Sequence, residues 1–345
     1  MNFATLPKLQ KGDKVAILSP SFAAPGRWPE VYELGLQRLR DIFGLEPVEY
    51  PATKKLGANA EERSKDLIDA FENKEIKAVI ASIGGDDQIT YIKNLPKAPF
   101  INNPKPFFGY SDNTHFINFL WLCGIPSFYG GHLFTEFAMQ NEMDEFTIKY
   151  LKRALFENGI FDLESSPVFN DIGLNWSDPT LLTQKRRYQD NDGWHWDGSA
   201  NGEGITWGGC VESIDELLRH GTVIPTVQDF ENIILFMETS EEIPDHDYVR
   251  RVLRALGERE ILENIKGLLV GRPKAWEFDK PKTDEQKEKH KQGQREMFLE
   301  TIRKYNPTLP IIQNIDIGHT SPQICLPSGK RAIINSSTKT IKIEF

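Results

Sequence analysis

Along the first 160 residues the apolar positions alternate between two periods. Lys14–Leu18 (KVAIL) is a short continuous apolar run closed by Ser19-Pro20, the form of a strand buried on both faces. Residues 31–43 instead carry Val31, Leu34, Leu36, Leu39, Ile42 and Phe43 at helical spacing, and the pattern stops at Gly44. Further strands are predicted over 47–50, 77–83, 106–109 and 127–129, and further helices over 59–71, 88–95, 114–123 and 143–156. Strands and helices alternating at these lengths predict a doubly wound parallel sheet. Ligands of such sheets sit beyond the carboxyl ends of the strands. That rule brings Ser19-Pro20-Ser21, Gly84-Gly85-Asp86-Asp87 and Tyr110-Ser111-Asp112 to one edge.

The pattern changes after about residue 160. Residues 171–208 are rich in Asn, Asp, Gly, Ser and Trp and show little regular period, which reads as a linker and a surface loop. Strands resume over 232–237, 266–271, 310–314, 331–335 and 340–343, without a regular interleaving of helices. The expected fold is therefore α/β: an N-terminal Rossmann-like domain over 1–165, a Trp-rich linker over 166–208, and a smaller C-terminal β-rich α+β domain over 209–345. The mixed-charge run 278–295 reads as a solvated loop or an exposed helix.

Composition narrows the function classes. A chain of 345 residues with 39% hydrophobic and 26% charged residues is long enough for two soluble domains. No apolar run reaches bilayer-spanning length, and the first twenty residues lack the basic-then-apolar form of a secretory leader. The net charge of −9 argues against nucleic-acid phosphate as a partner. Cys123, Cys210 and Cys325 are odd in number and widely spaced, as expected of free thiols in a reducing compartment. A cytoplasmic protein is expected. No His, Cys, Asp or Glu cluster has metal-ligand spacing, so neither a metal nor another cofactor is expected.

The chemistry concentrates in FFGYSDNTHF, residues 107–116. A strand-to-helix corner presents Ser111 at the sheet edge while the following helix aims its amides at the same spot, the physics of a nucleophile elbow. Ser111 or Asp112 could equally cap that helix. A nucleophilic serine needs a base. His115 follows its own helix, His220 suits a helix C-terminus, and His246 and His290 lie in polar stretches. His319 directly follows a strand and a glycine, and is the best candidate. For the acid, Glu238 ends the apolar run 233–237, where it needs a partner or is an exposed strand terminus, and Glu212 is its rival. Trp194, Trp196 and Trp207 either pack beneath their loop or form a stacking surface for a flat group.

Six stretches in order, VAILSPS, SIGGDD, FFGYSDNT, WGGCVES, ILFMETSEE and GHTSPQICLPSG, resemble the LD-carboxypeptidase family of serine peptidases. That family holds muramoyl-tetrapeptide carboxypeptidases and microcin C self-immunity peptidases. The resemblance implies a triad of Ser111, Glu238 and His319, with oxyanion donors at the amides of Gly85 and Asp112. Gly84, Asp86 and the three tryptophans would then contact substrate. Met237-Glu238-Thr239 departs from the family's usual Leu-Glu-Asp, leaving the acid but not the following aspartate. The W-x-W segment resembles the immunity branch, which implies a peptidyl or aminoacyl nucleotide substrate. Removal of D-alanine from muropeptides is the alternative, and a non-catalytic nucleotide-binding module is the alternative of another class. The resemblance also implies a homodimer, and no membrane partner is expected.

Overall fold

The computed structural model describes residues 2–345. Strands β1 (Lys14–Leu18), β2 (Glu46–Glu49), β3 (Ile76–Ala81), β4 (Phe107–Gly109) and β5 (Ser127–Tyr129) pair in parallel. Val15, Ala16, Ile17 and Leu18 are all buried, which is why β1 carries no alternating polar positions. Helices Pro29–Asp41 and Ala60–Glu72 flank the sheet, and the second begins in a capping box between Asn59 and Glu62. The predicted helix over 88–95 is instead two single 3₁₀ turns, Gln88–Thr90 and Ile92–Asn94. Tyr91 alone separates the two turns, and Leu95 precedes Pro96, a position from which helical backbone is disfavoured.

The second half is sheet-rich. Its eight-stranded sheet holds β6 (Ile160–Asp162), β9 (His195–Asp197), β10 (Gly202–Cys210), β11 (Ile233–Glu238), β12 (Gly267–Gly271), β13 (Ile311–Ile315), β15 (Arg331–Asn335) and β16 (Thr340–Glu344). A two-stranded ribbon, β7 (Val168–Phe169) with β8 (Gln189–Asp190), lies in the connecting segment. The central β10, β11, β12 and β13 are parallel, and helices Val211–His220, His246–Glu258 and Asp284–Tyr305 occur between them. Those helices interleave with the strands more regularly than the apolar pattern suggests. The charged run 278–295 is one reason, since most of it belongs to the 22-residue helix that Thr283 caps.

Residues 202–208, expected in the surface loop, form most of β10 at the middle of the sheet. Glycines at 202, 204, 208 and 209 hide the strand period. The link between the halves is β14 (Leu326–Ser328), which leaves the second sheet and pairs antiparallel with β5 in the first. The chain between β13 and β14 therefore has to cross from one sheet to the other, and His319 lies on that crossing. No helix among the described residues is long and apolar enough to cross a membrane.

Candidate active site

Ser111 lies two residues beyond the end of β4, after Tyr110, and has a left-handed backbone, φ 59°. A non-glycine residue held there costs on the order of 1 kcal/mol, so the surrounding structure must impose it. The imposition is visible. The Ser111 amide donates to the Tyr129 hydroxyl at 3.3 Å, and the Ser213 hydroxyl donates to the Ser111 carbonyl at 3.4 Å. Gly84 lies against the serine, and a Cβ there would stand 2.8 Å from the Ser111 Cβ. Only glycine permits that approach.

His132 sets the corner from below. Its Nε2 accepts from the Tyr110 amide at 3.0 Å and from Asn113 Nδ2 at 2.8 Å, which leaves the proton on Nδ1. Burial holds this imidazole down at about 3, so it stays a neutral acceptor. The Asp112 side chain does not cap the helix that follows, contrary to expectation. It accepts from the amides of Asp87 and Gln88, both at 3.1 Å, and so ties the Gly-Gly loop to the serine corner.

Glu238 ends β11 and is completely buried. Oε1 accepts from the Tyr129 hydroxyl and Oε2 lies 2.8 Å from His319 Nδ1. Two charge-assisted partners satisfy a carboxylate that would otherwise be costly to bury. Gly318 has φ 91°, and a Cβ there would collide with the Glu238 carboxylate. The His319 ring stands edge-on to Tyr110, centroids 5.0 Å apart, which brings it beside the serine corner.

The other ring nitrogen, Nε2, lies 3.0 Å from Glu241 Oε2. Burial works against charge on His319, but Glu238 and then Glu241 outweigh it and push the imidazole up to about 10. Burial likewise opposes ionisation of Glu241, and the His319 charge overrides it, holding that carboxyl at about 2. The free protein thus carries an imidazolium between two carboxylates.

The rival acid, Glu212, has another task. Its Oε1 accepts from the Ser240 amide at 3.1 Å and hydroxyl at 2.6 Å, and Cys210 Sγ donates to Oε2 at 3.1 Å. It fixes the loop after β11 rather than a histidine. His246 and His290, expected in solvent, stack on each other with centroids 5.0 Å apart and are half-buried. His115 is buried between Asp112 Oδ1 at 2.9 Å and Glu216 Oε2 at 3.2 Å. Burial opposes its charge, but those two partners raise it to about 9. Asp112, His115 and Glu216 together offer three ligand atoms within 4.8 Å of one another, although their positions in sequence have no metal-ligand spacing. The two carboxylates face different nitrogens of one ring, an arrangement that clamps an imidazolium.

Ser111 opens on a cavity of about 420 Å³ that Gly85, Asp86 and Asp112 also line, so these predicted site residues are brought together. The tryptophans are not. Trp207 on β10 is fully buried against Phe230, with centroids 5.1 Å apart, and presents no face to a ligand. For Trp207 the packing alternative holds, and the substrate contact implied for it does not, because it lies on a central strand rather than in the surface loop. Trp194 donates to Asp316 Oδ2 at 2.9 Å and Trp196 lies on β9 paired with Ile312; neither lines the Ser111 cavity. Sequence reasoning missed Tyr129, His132 and Glu241. Only Glu241 left a signal, in the acidic run after Glu238.

Models of the LD-carboxypeptidase N-terminal and C-terminal domains match residues 15–130 and 203–334. An MccF-like protein from Streptococcus pneumoniae, solved in complex with AMP, superposes with a TM-score of 0.84 at 29% identity, over 96% of this chain and 98% of that one. The microcin C7 self-immunity protein MccF of Escherichia coli is 24% identical over 287 residues, 82% of this chain and 78% of its own. A Bacillus subtilis (strain 168) protein described as "Probable murein peptide carboxypeptidase" is 25% identical over 354 residues, 97% and 93% of the two chains. The chain belongs to the LD-carboxypeptidase family. It is a serine-type carboxypeptidase.

Proposed function

We propose that the protein hydrolyses an amide bond near the carboxyl end of a peptidyl or aminoacyl nucleotide, with Ser111 as nucleophile, His319 as base and Glu238 as the orienting acid. The observation that carries this reading is the buried Glu238–His319 pair, 2.8 Å apart, beside a serine held at φ 59°. Backbone strain of this kind gathers where a side chain must be presented for chemistry.

In the cycle, His319 Nε2 takes the Ser111 proton as Oγ attacks the carbonyl, and Glu238 holds Nδ1 and the imidazolium that forms. Gly85 and Asp112 line the cavity at Ser111, which supports their amides as the donors to the oxyanion. Each such donor contributes roughly 10²–10³-fold. The buried Tyr129 phenol is kept protonated, by burial first and Glu238 second, so it donates to the acid throughout.

A nucleotide leaving group is supported by the AMP bound to the Streptococcus pneumoniae neighbour. Muropeptide trimming is the second reading, favoured by the name of the Bacillus subtilis relative. Mass spectrometry on an aminoacyl-sulfamoyl adenylate and on an L,D-linked muropeptide separates the two. Cleavage of the nucleotide conjugate is expected, and cleavage of the muropeptide alone would overturn the nucleotide assignment.

A further inference from the structure

A second cavity, of about 270 Å³, shares no lining residue with the one at Ser111. It lies where the parallel strands β12 and β13 end, against the helix Asp284–Tyr305, with residues 190–195 along its remaining side. The carboxyl ends of parallel strands are where open α/β sheets bind their ligands. The volume is at the small end of ligand pockets, which run roughly from 300 to 1,000 Å³, and suits a molecule of a few heavy atoms.

Its charges are sorted by depth. Lys291 and Arg295 stand one turn apart on the helix, so their heads share one wall. Both are half-buried, and neither is ion-paired with a carboxylate among the described residues. The Lys291 ammonium lies 4.2 Å from the centre of the Phe169 ring. Arg295 Nη1 donates to His195 Nε2 at 2.6 Å, and burial and the guanidinium together hold that imidazole neutral. Arg272, by contrast, is already committed to Asp316, Asn314 and Thr320. Asp190 and Glu288 stand exposed at the rim, also without an ion-pair partner among the described residues.

Gln294 adds the observation that points to an occupant. It lines the cavity, is 1% exposed, and uses its Nε2 to hold Thr239 Oγ1 at 3.0 Å, next to Glu238. Its Oε1 has no donor. Buried acceptors left in this state are rare in folded chains.

We propose that this cavity is a second binding site, for the zwitterion of a small free α-amino acid, with the carboxylate between Lys291 and Arg295 and the ammonium facing Gln294 Oε1 and the rim carboxylates. A simple anion would satisfy the wall and be repelled at the rim, and a simple amine would meet the reverse. An α-amino acid holds both charges within a few ångströms and answers both. A carboxypeptidase releases such a zwitterion at each turnover, so the ligand is of the class its own reaction supplies.

Calorimetry on the full chain tests this with D-alanine, L-alanine, propionate and alaninamide, the last two lacking the ammonium and the carboxylate respectively. At least one enantiomer should bind with Kd of about 1 mM or tighter, and about tenfold or more tighter than either half-charged analogue. Arg295→Gln and Lys291→Met should each weaken it about tenfold, the loss of one charge-assisted contact. Asp190→Asn with Glu288→Gln, at exposed positions where folding is not at risk, should weaken alanine and leave propionate unweakened. Alanine bound equally well by Arg295→Gln and Lys291→Met sits elsewhere, at the Ser111 cavity for instance, and overturns the proposal. So does propionate binding as tightly as alanine, which would define a plain anion pocket, and so does the absence of binding by both enantiomers. No turnover is measured, so the outcome is independent of the Ser111 mechanism, which stands or falls with Ser111→Ala.

Discussion

His115 lies between Asp112 at 2.9 Å and Glu216 at 3.2 Å, and His319 between Glu238 at 2.8 Å and Glu241 at 3.0 Å. In each case one carboxylate is buried and the other about half-exposed, and in each case the imidazole is pushed well above its ordinary range, to about 9 and about 10. The electrostatics are nearly the same. What differs is the backbone that carries them. His115 is anchored in the helix Thr114–Leu122, and its Nδ1 also contacts the Asp112 carbonyl at 2.8 Å one turn earlier. His319 is on the crossing between two sheets, after Gly318 and before β14, beside an unpartnered serine hydroxyl. The comparison teaches that a raised histidine pKa does not by itself mark a catalytic group. Under the proposed mechanism, the backbone that carries it and the serine hydroxyl beside it do.

The sharpest way to break the comparison is to remove the proposed nucleophile. Ser111→Ala should lower turnover on the order of 10⁴-fold or more while the thermal midpoint stays close to that of the wild type. Ser111→Gly should be equally inactive yet more stable, by about 1 kcal/mol, because glycine accepts φ 59° without strain. A glycine variant no more stable than the alanine variant would mean that the corner stores no strain.

His115→Gln should act on stability instead. It leaves Asp112 buried with its two backbone amides but without its cationic partner, a loss of about 3 kcal/mol at pH 7 in denaturant unfolding. The sign of the pH dependence follows from the raised pKa. The clamp contributes fully below about pH 6.5, the unfolded value, and its contribution is lost as pH rises through about 9. The gap between wild type and variant should therefore close between pH 7 and pH 10. A gap that widens over that range would show that His115 is not held as an imidazolium.

Much of this was readable from the chain alone, and the failures have physical causes. The N-terminal strands announced themselves because strands buried on both faces are continuous apolar runs, as in Val15–Leu18. The family motifs placed Ser111, Glu238 and His319 in one family pattern, and their surroundings now give each a physical setting. β10 was missed because its glycines, required where strands and side chains press against it, erase the alternation that marks a strand. With β10 unrecognised, the choice between packing and stacking for Trp207 could not be made from the chain. Tyr129 and His132 were invisible for another reason. They act through contacts to residues 110, 113 and 238, and no local period encodes a hydrogen bond made 109 positions away.

The smallest effect separates the two clamps most directly. Glu216 and Glu241 are alike in exposure, at 43% and 51%, and each faces the Nε2 of a histidine otherwise held through Nδ1. Glu216→Gln should cost no more than about 0.5 kcal/mol, since water and salt screen a half-exposed pair. The Glu216 contact also lacks a hydrogen bond, because His115 Nε2 has none among the described residues. His115 has no part in the proposed proton transfer, so the acidic limb of kcat/KM should move by less than about half a pH unit, against 1 unit or more for Glu241→Gln. The two variants remove the same charge from the same kind of pair within one cleft. If their pH profiles shift together, the cleft acts on His319 through its summed field and the contact on Nε2 has no separate effect. If only Glu241→Gln shifts, the direct contact at 3.0 Å is what holds the base, and the distinction between a structural and a chemical histidine rests on that one carboxylate.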